Sequence, residues 1–148
     1  MTIATTSKFA DFKIHYGDGA DPEVFALLCG LRSKSFGITN NMSNTPVPDC
    51  SDEDLPAFEQ QDVASQAMPL SGSGVFPAEH QKMLLEWALA GTTKNIRVYP
   101  GKAPASGDIS YYEGPAYLSF SSSVERGTRL TADIELHWAT KPVPTLIA

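Results

Sequence analysis

Apolar and polar residues alternate along much of the chain, the signature of half-buried strands. In KFADFKIHY, Ala10, Phe12, Ile14 and Tyr16 alternate with Asp11, Lys13 and His15. GDGADP (17–22) reads as a turn in which Asp18 caps its own backbone. EVFALLCGL (23–31) reads as a short buried strand. RSKSFGITNN (32–41) resumes the alternation, with Phe36 and Ile38 opposed to Ser35 and Thr39.

The pattern then stops. MSNTPVPDCSDEDLPAFEQQ (42–61) holds three prolines and five acidic residues without periodicity, which predicts a long exposed loop with an apolar patch at Leu55, Ala57 and Phe58. DVASQAMPLSGSGVF (62–76) reads as one long strand of small residues. PAEHQKMLLEWALAG carries the chain's one strong helix signal. Pro77 suits its first position, Glu79 the positive end of its dipole and Gly91 its C-terminal cap. Leu84, Leu85, Trp87, Ala88 and Leu89 form a broad apolar stripe, with Glu79, Lys82 and Glu86 on the wet face. NIRVY (95–99) is a short strand, and two long strands joined near Glu125–Thr128 close the pattern. Ala116, Leu118, Phe120 and Val124 mark the apolar face of the first. Leu130, Ala132, Ile134, Leu136 and Trp138 mark that of the second, and the opposite faces carry Ser119, Ser121 and Ser123, then Arg129, Asp133 and Glu135. KPVPTLIA reads as an extended, peripheral tail. The expected fold is mainly β (α+β by helix content): an antiparallel β-sandwich or barrel, one flanking α-helix over about 78–90, and a long loop over about 42–61.

The length, 148 residues, suits a single domain with a real core. A net charge of −6 argues against a partner gripped through its phosphates, although an acidic surface handles DNA by repelling it. Cys29 and Cys50 are too few for a disulfide framework and read as two free thiols, Cys29 buried in its apolar run. A single bridge between them stays open. The N-terminus has no secretory pattern and no stretch is apolar enough to span a bilayer, so a soluble protein that starts in a cytoplasm is expected.

Candidate chemistry falls away on inspection. LSGSGVFPAEHQKM (70–83) places glycines before a helix, as phosphate cradles do, but Pro77 stands where the third glycine of a dinucleotide fingerprint belongs. Gly72 and Gly74 instead suggest a strand pressed by a neighbouring surface, another β-strand of this chain or of an adjacent subunit. His15, His80 and His137 lack metal-ligand spacing. Asp49, Asp52, Glu53 and Asp54 lack the closing glutamate and central glycine of a calcium loop. No nucleophile and base can be paired, so no catalytic residue, cofactor or metal is expected.

The order of elements is distinctive. The turn and strand YGDGADPEVFALLCGLRSKSFGI, an acidic proline-containing middle, DVASQAMPLSGSGVF, the helix, NIRVY and the closing GPAYLSFSSSVERGTRLTADIELHWATKP together resemble the tail tube protein (major tail protein) of long, non-contractile-tailed bacteriophages and gene transfer agents. The resemblance runs from about Asp11 to Pro142. It implies a β-sandwich subunit of six-membered rings that stack into a hollow tube, the conduit for DNA ejection. The helix lies outside a continuous barrel that lines the lumen, and the long loop reaches the adjacent ring. It implies a virion protein assembled in the host bacterial cytoplasm, with itself as main partner. The tape measure protein, tail terminator and distal tail protein are further partners, DNA passes without specific binding, and no membrane is involved. On this resemblance Asp49, Asp52, Glu53, Asp54, Leu55 and Phe58 are expected at inter-ring contacts. Ser119, Ser121, Ser123, Asp133 and Glu135 are expected on a lumen or inter-subunit face. The added C-terminal decoration domain of larger relatives is not expected.

Two other readings stay open. A related tube-type protein, such as a tail terminator or secretion-system inner-tube subunit, has the same texture. A stand-alone β-sandwich binding module for carbohydrate or adhesion would use Tyr111, Tyr112 and Tyr117 as a stacking platform.

Overall fold

A computed structural model describes residues 3–4, 6–102 and 106–146. In chain order these hold strands β1 (Lys13–Gly17), β2 (Phe25–Leu27), β3 (Leu31–Phe36), β4 (Thr39–Val47), β5 (Phe58–Ala67) and β6 (Leu70–Gly74). Helix α1 (Ala78–Ala90), β7 (Lys94–Tyr99), β8 (Ile109–Ser123), β9 (Thr131–Trp138) and β10 (Val143–Leu146) follow. The chain divides into two compact units, Gly37–Pro69 and the remainder.

The larger unit is one antiparallel sheet in the order β2-β1-β7-β8-β9-β6-β3, with β10 also on β8. β8 organises it, because its fifteen residues serve two neighbourhoods. Its first part pairs with β7 through Tyr112–Ala116 and with β10 through Ile109–Glu113, while Ala116–Ser123 pairs with β9. The two halves share one core. Ile14, Ile96 and Val98 come from the β1–β7 side; Leu31, Leu70, Ala132, Ile134 and Leu136 come from β3, β6 and β9; Leu84 and Trp87 come from the helix. This is the β-sandwich with one flanking helix that the alternation predicts.

The helix occupies the predicted residues, with Pro77 one position earlier than expected as its N-cap and Gly91 closing it in the left-handed conformation (φ 66°). Trp87 anchors the far end by donating from its indole nitrogen to the Thr92 carbonyl at 2.9 Å. The buried stripe is narrower than expected: Leu85 and Leu89 are exposed.

Besides a short 3-10 helix at Phe9–Asp11, which delays β1 to Lys13, and a break between Phe36 and Thr39, three boundaries differ from the sequence reading. The run 23–31 is no single buried strand, because Gly30 (φ 103°) turns the chain between β2 and β3. Leu28 is held inward by its N–H on the Ile14 carbonyl (2.9 Å), and Cys29 is thereby turned out to solvent. Second, 62–76 is broken at Met68–Pro69, so β5 and β6 belong to different units. Third, the segment expected as a loop over 42–61 is in its greater part a long hairpin. β4 and β5 pair from Thr39↔Ala67 to Val47↔Phe58, with a bulge near Asn41/Met42, and only 48–57 forms the tip. Every residue of both strands is exposed, so neither face has a core to face and no alternation is selected.

Gly30 and Gly74 meet where β3 and β6 begin to pair. A Cβ on Gly74 would collide with the Gly30 carbonyl oxygen and lie 2.8 Å from the Arg32 nitrogen, both backbone atoms that cannot step aside. One on Gly72 would lie 2.7 Å from Leu31 Cδ2. The surface pressing on these glycines is therefore β3 of the same chain. Gly74→Ala is expected to lower stability by about 1–3 kcal/mol, the usual cost of overpacking, read as a drop in thermal midpoint. An unchanged midpoint would contradict the close approach.

Candidate functional site

Four strands of the larger unit, in the order β8-β9-β6-β3, present one polar face. Register places its members side by side. Ser121 pairs with Asp133, which pairs with Ser73; Ser119 pairs with Glu135, which pairs with Ser71. On β3, Ser33 and Ser35 face Ser73 and Ser71. Because the alternate residues Leu118, Ala132, Ile134, Leu136, Gly72 and Gly74 are buried beneath, the serines and carboxylates must point away from the core. Ser119, Ser121, Ser123, Asp133 and Glu135 thus lie on one surface. Sequence reasoning missed Ser33, Ser35, Ser71 and Ser73, whose signal was present in LSGSG: its glycines face the core and its serines face out.

The face is hydrogen-bonded laterally. Ser33 and Ser73 share a hydrogen bond of 2.6 Å, Ser119 Oγ lies 3.1 Å from His137 Nε2, and Thr131 donates to the Ser123 carbonyl at 3.3 Å. His137 also stands 3.9 Å from Glu135. A shallow depression of about 420 Å³ lies over Ser35, Ser71, Ser121 and Glu135. It is polar and open, unlike the enclosed apolar pockets that hold small ligands. Among the described residues, no three His, Cys, Asp or Glu side chains gather to hold a metal ion. No described helix is long and apolar enough to cross a membrane.

Both outer strands of this face have unpaired edges among the described residues. β3 pairs only with β6. β8 beyond Ala116 pairs only with β9. The Ala139 N–H donates to the Pro115 carbonyl, so along this ladder every second residue turns its backbone groups to β9. Leu118, Phe120 and Ser122 turn theirs the other way, to the open edge.

The hairpin is polar on both faces, each with one apolar cross-strand pair: Met42 with Val63, and Val47 with Phe58. At its tip, Asp49 accepts from the Ser51 N–H (2.8 Å) and Asp52 from the Asp54 N–H (3.0 Å), while Leu55 and Phe58 are exposed. The net charge of the protein resides in this unit. Residues 37–69 contain six acidic and no basic side chains, whereas the rest of the chain has eleven of each. The overall −6 therefore gives no argument for an acidic sheet face, which has only Asp133 and Glu135 to supply it.

The aromatic platform does not form. Tyr112 points inward, its ring 5.7 Å from that of Phe36. Tyr111 packs against Tyr99 and under the Arg97 guanidinium, which is paired with Glu113 at 3.3 Å. Tyr117 stands apart, exposed beside His137. Cys29 and Cys50 are both free and exposed. His15 is held below its usual pKa by burial and by the Lys13 and Arg97 charges.

The family model described as phage tail tube protein matches residues 6–144. The chain belongs to that family. It is accordingly a structural subunit of a tail tube rather than an enzyme. The fold is similar to that of the tail of an empty gene transfer agent particle, refined helically with C6 symmetry. There the TM-score is 0.72 at 14% identity, over 93% of this chain and 98% of that one. The native gene transfer agent virion gives 0.68 at 14% identity over the same shares. The SPP1 tail tube gives 0.62 at 13% identity, over 96% of this chain and 81% of that one. Curated proteins give no match. The binding-module reading is not favoured for this tail tube protein.

Proposed function

We propose that six copies close into a ring by pairing the open β3 edge of each with the open β8 edge of the next, and that rings stack into a tube through which DNA passes. The carrying observation is the four-stranded sheet with one polar face and two unpaired edges. Open edges are a liability in a monomer and vanish on closure. Successive strands β8, β9, β6 and β3 run antiparallel, so a rotated copy of β8 meets β3 antiparallel as well, and the contact is head-to-tail, as ring formation requires. Sixfold closure is supported by the C6 symmetry of the similar gene transfer agent tail.

Four strands from each of six subunits make a 24-stranded barrel. With strands about 4.8 Å apart and tilted about 40°, its backbone is roughly 45–50 Å across. That leaves a lumen wider than a DNA duplex. The serines, Asp133 and Glu135 line this wall: small hydroxyls fill little space, and the carboxylates repel phosphates. The hairpin reaches about 30 Å along nine residues, at about 3.4 Å each, and covers neighbouring copies. Its tip residues Asp49, Asp52, Glu53, Asp54, Leu55 and Phe58 make the contacts between rings. Assembly takes place in the host cytoplasm, with the tape measure, terminator and distal tail proteins as partners at the tube's core and ends.

Negative-stain electron microscopy of concentrated protein tests this reading. Uniform tubes or six-fold rings are expected, and monomers at every concentration and salt would overturn it.

A further inference from the structure

We propose that the acidic tip of the hairpin, Asp49–Phe58, docks on a lysine-rich patch around Phe9 of a second copy of the chain and acts as a salt-sensitive latch of assembly. The proposal rests on the reading of the chain as a self-assembling tube subunit and names the surface on which its arm lands.

The first ground is the division of charge. All six surplus carboxylates lie within 37–69, where no basic side chain exists to neutralise them. Among the described residues, Glu53 and Asp54 make no side-chain hydrogen bond or ion pair, and Asp49 and Asp52 accept only local backbone N–H groups. Stacked rings concentrate these arms, and cations of other copies placed against them relieve the repulsion most at low salt.

The second ground is where unpaired cations gather. Lys34 extends from β3 across the start of β1, donating to the Phe12 carbonyl at 2.5 Å and the Phe9 carbonyl at 3.5 Å, with its ammonium 4.1 Å over the Phe9 ring. Its pKa is lowered by burial and then by the Lys13 ammonium, which places the two charges within reach of each other. The Lys102 backbone N–H donates to Ser7 Oγ at 2.9 Å, which ties the Lys102 backbone to the residue that precedes Lys8. Against these four lysines stands Asp11, whose carboxylate accepts the Lys8 N–H at 2.8 Å. None of the four is in an ion pair among the described residues.

The third ground is apolar fit. Phe9 is 56% exposed at the centre of the patch, and the tip offers Leu55 and Phe58, exposed by 51% and 75%. An apolar centre rimmed by opposite charges on each side is the arrangement that gives register as well as attraction. The other cation–aromatic cluster among the described residues does not compete, because Arg97, between Phe25 and Tyr111, already holds Glu113.

The test is assembly of the full chain, followed by light scattering and electron microscopy across a salt series. Lys13→Glu is expected to raise the critical concentration about tenfold at low salt, with far-UV circular dichroism unchanged. The double change Lys13→Glu, Glu53→Lys should recover most of the loss. If Lys13→Glu perturbs the fold, Lys8→Glu with Lys102→Glu, both exposed, carries the same test. Carbodiimide coupling of tubes built from 14N and 15N copies should join a patch lysine of one isotope to a tip carboxylate of the other. Tubes from every charge-reversed variant with the salt response of the parent, and no such cross-link, would overturn the latch and leave the tube reading intact. A parent chain that never assembles would overturn both.

Discussion

Replacing residues 40–66 by Asn-Gly is expected to leave a folded subunit that forms no tubes. Thr39 and Ala67 are direct partners across the hairpin, so a two-residue turn closes the ladder there with its own preferred chemistry. Gly37 and Pro69, whose N–H and carbonyl meet at 3.0 Å, remain as the base. Nothing removed is buried, and none of it belongs to the core cluster. The thermal midpoint of the shortened chain should therefore stay within about 3 °C of the parent, roughly the shift that 1 kcal/mol produces in a domain this size. Assembly is where the loss appears. An isolated two-stranded hairpin is marginal in water, and one with Met42, Val47, Phe58 and Val63 exposed stands to gain most by being covered. A shortened chain that unfolds, or one that still builds tubes of the parent's width and length, contradicts this account of the arm.

The second large effect is expected from one residue on an open edge. Ser122→Pro should abolish ring closure while leaving the monomer folded. Proline removes a backbone donor, and the alternation along β8 puts the Ser122 N–H on the side away from β9, where no described strand meets it. Ser122 is exposed, so its side chain contributes no core packing. Ser121→Pro is the informative neighbour, since the Ser121 N–H faces β9 and its loss breaks the ladder. The pair should separate cleanly: Ser122→Pro monomeric with a near-parental midpoint, Ser121→Pro destabilised. Size-exclusion chromatography with light scattering and a thermal melt read both. Normal rings from Ser122→Pro would mean that closure uses another edge.

The fold was most legible where one face of an element is buried. In β8 and β9 the alternation of Leu118, Phe120, Ala132, Ile134 and Leu136 with serines and carboxylates leaves a single register, and the helix is bracketed by Pro77 and Gly91. It was least legible in the hairpin, because Asn, Ser, Thr and Gln on two wet faces carry no period for a reader to find. Cys29 was misplaced for a related reason: an apolar run suggests burial, but Gly30 turns the chain before the run ends. Half of the candidate face could be read because β8 and β9 are consecutive. The other half, β3 and β6, joins it only through pairings that skip the hairpin and the helix, which no local pattern reports. The glycines of LSGSG drew attention to the buried side of β6, while its serines stand on the polar face proposed to line the lumen.

A helical reconstruction of tubes from the purified chain, at a resolution that separates strands, tests the central claim most directly. The account predicts six subunits per ring and a 24-stranded antiparallel barrel roughly 45–50 Å across at the backbone, with β3 of each subunit against residues 117–123 of the next. Ser33, Ser71, Ser119, Ser121, Asp133 and Glu135 should face the lumen. A tube in which that face is buried between subunits or turned outward, or in which β3 and the end of β8 stay unpaired, would contradict it.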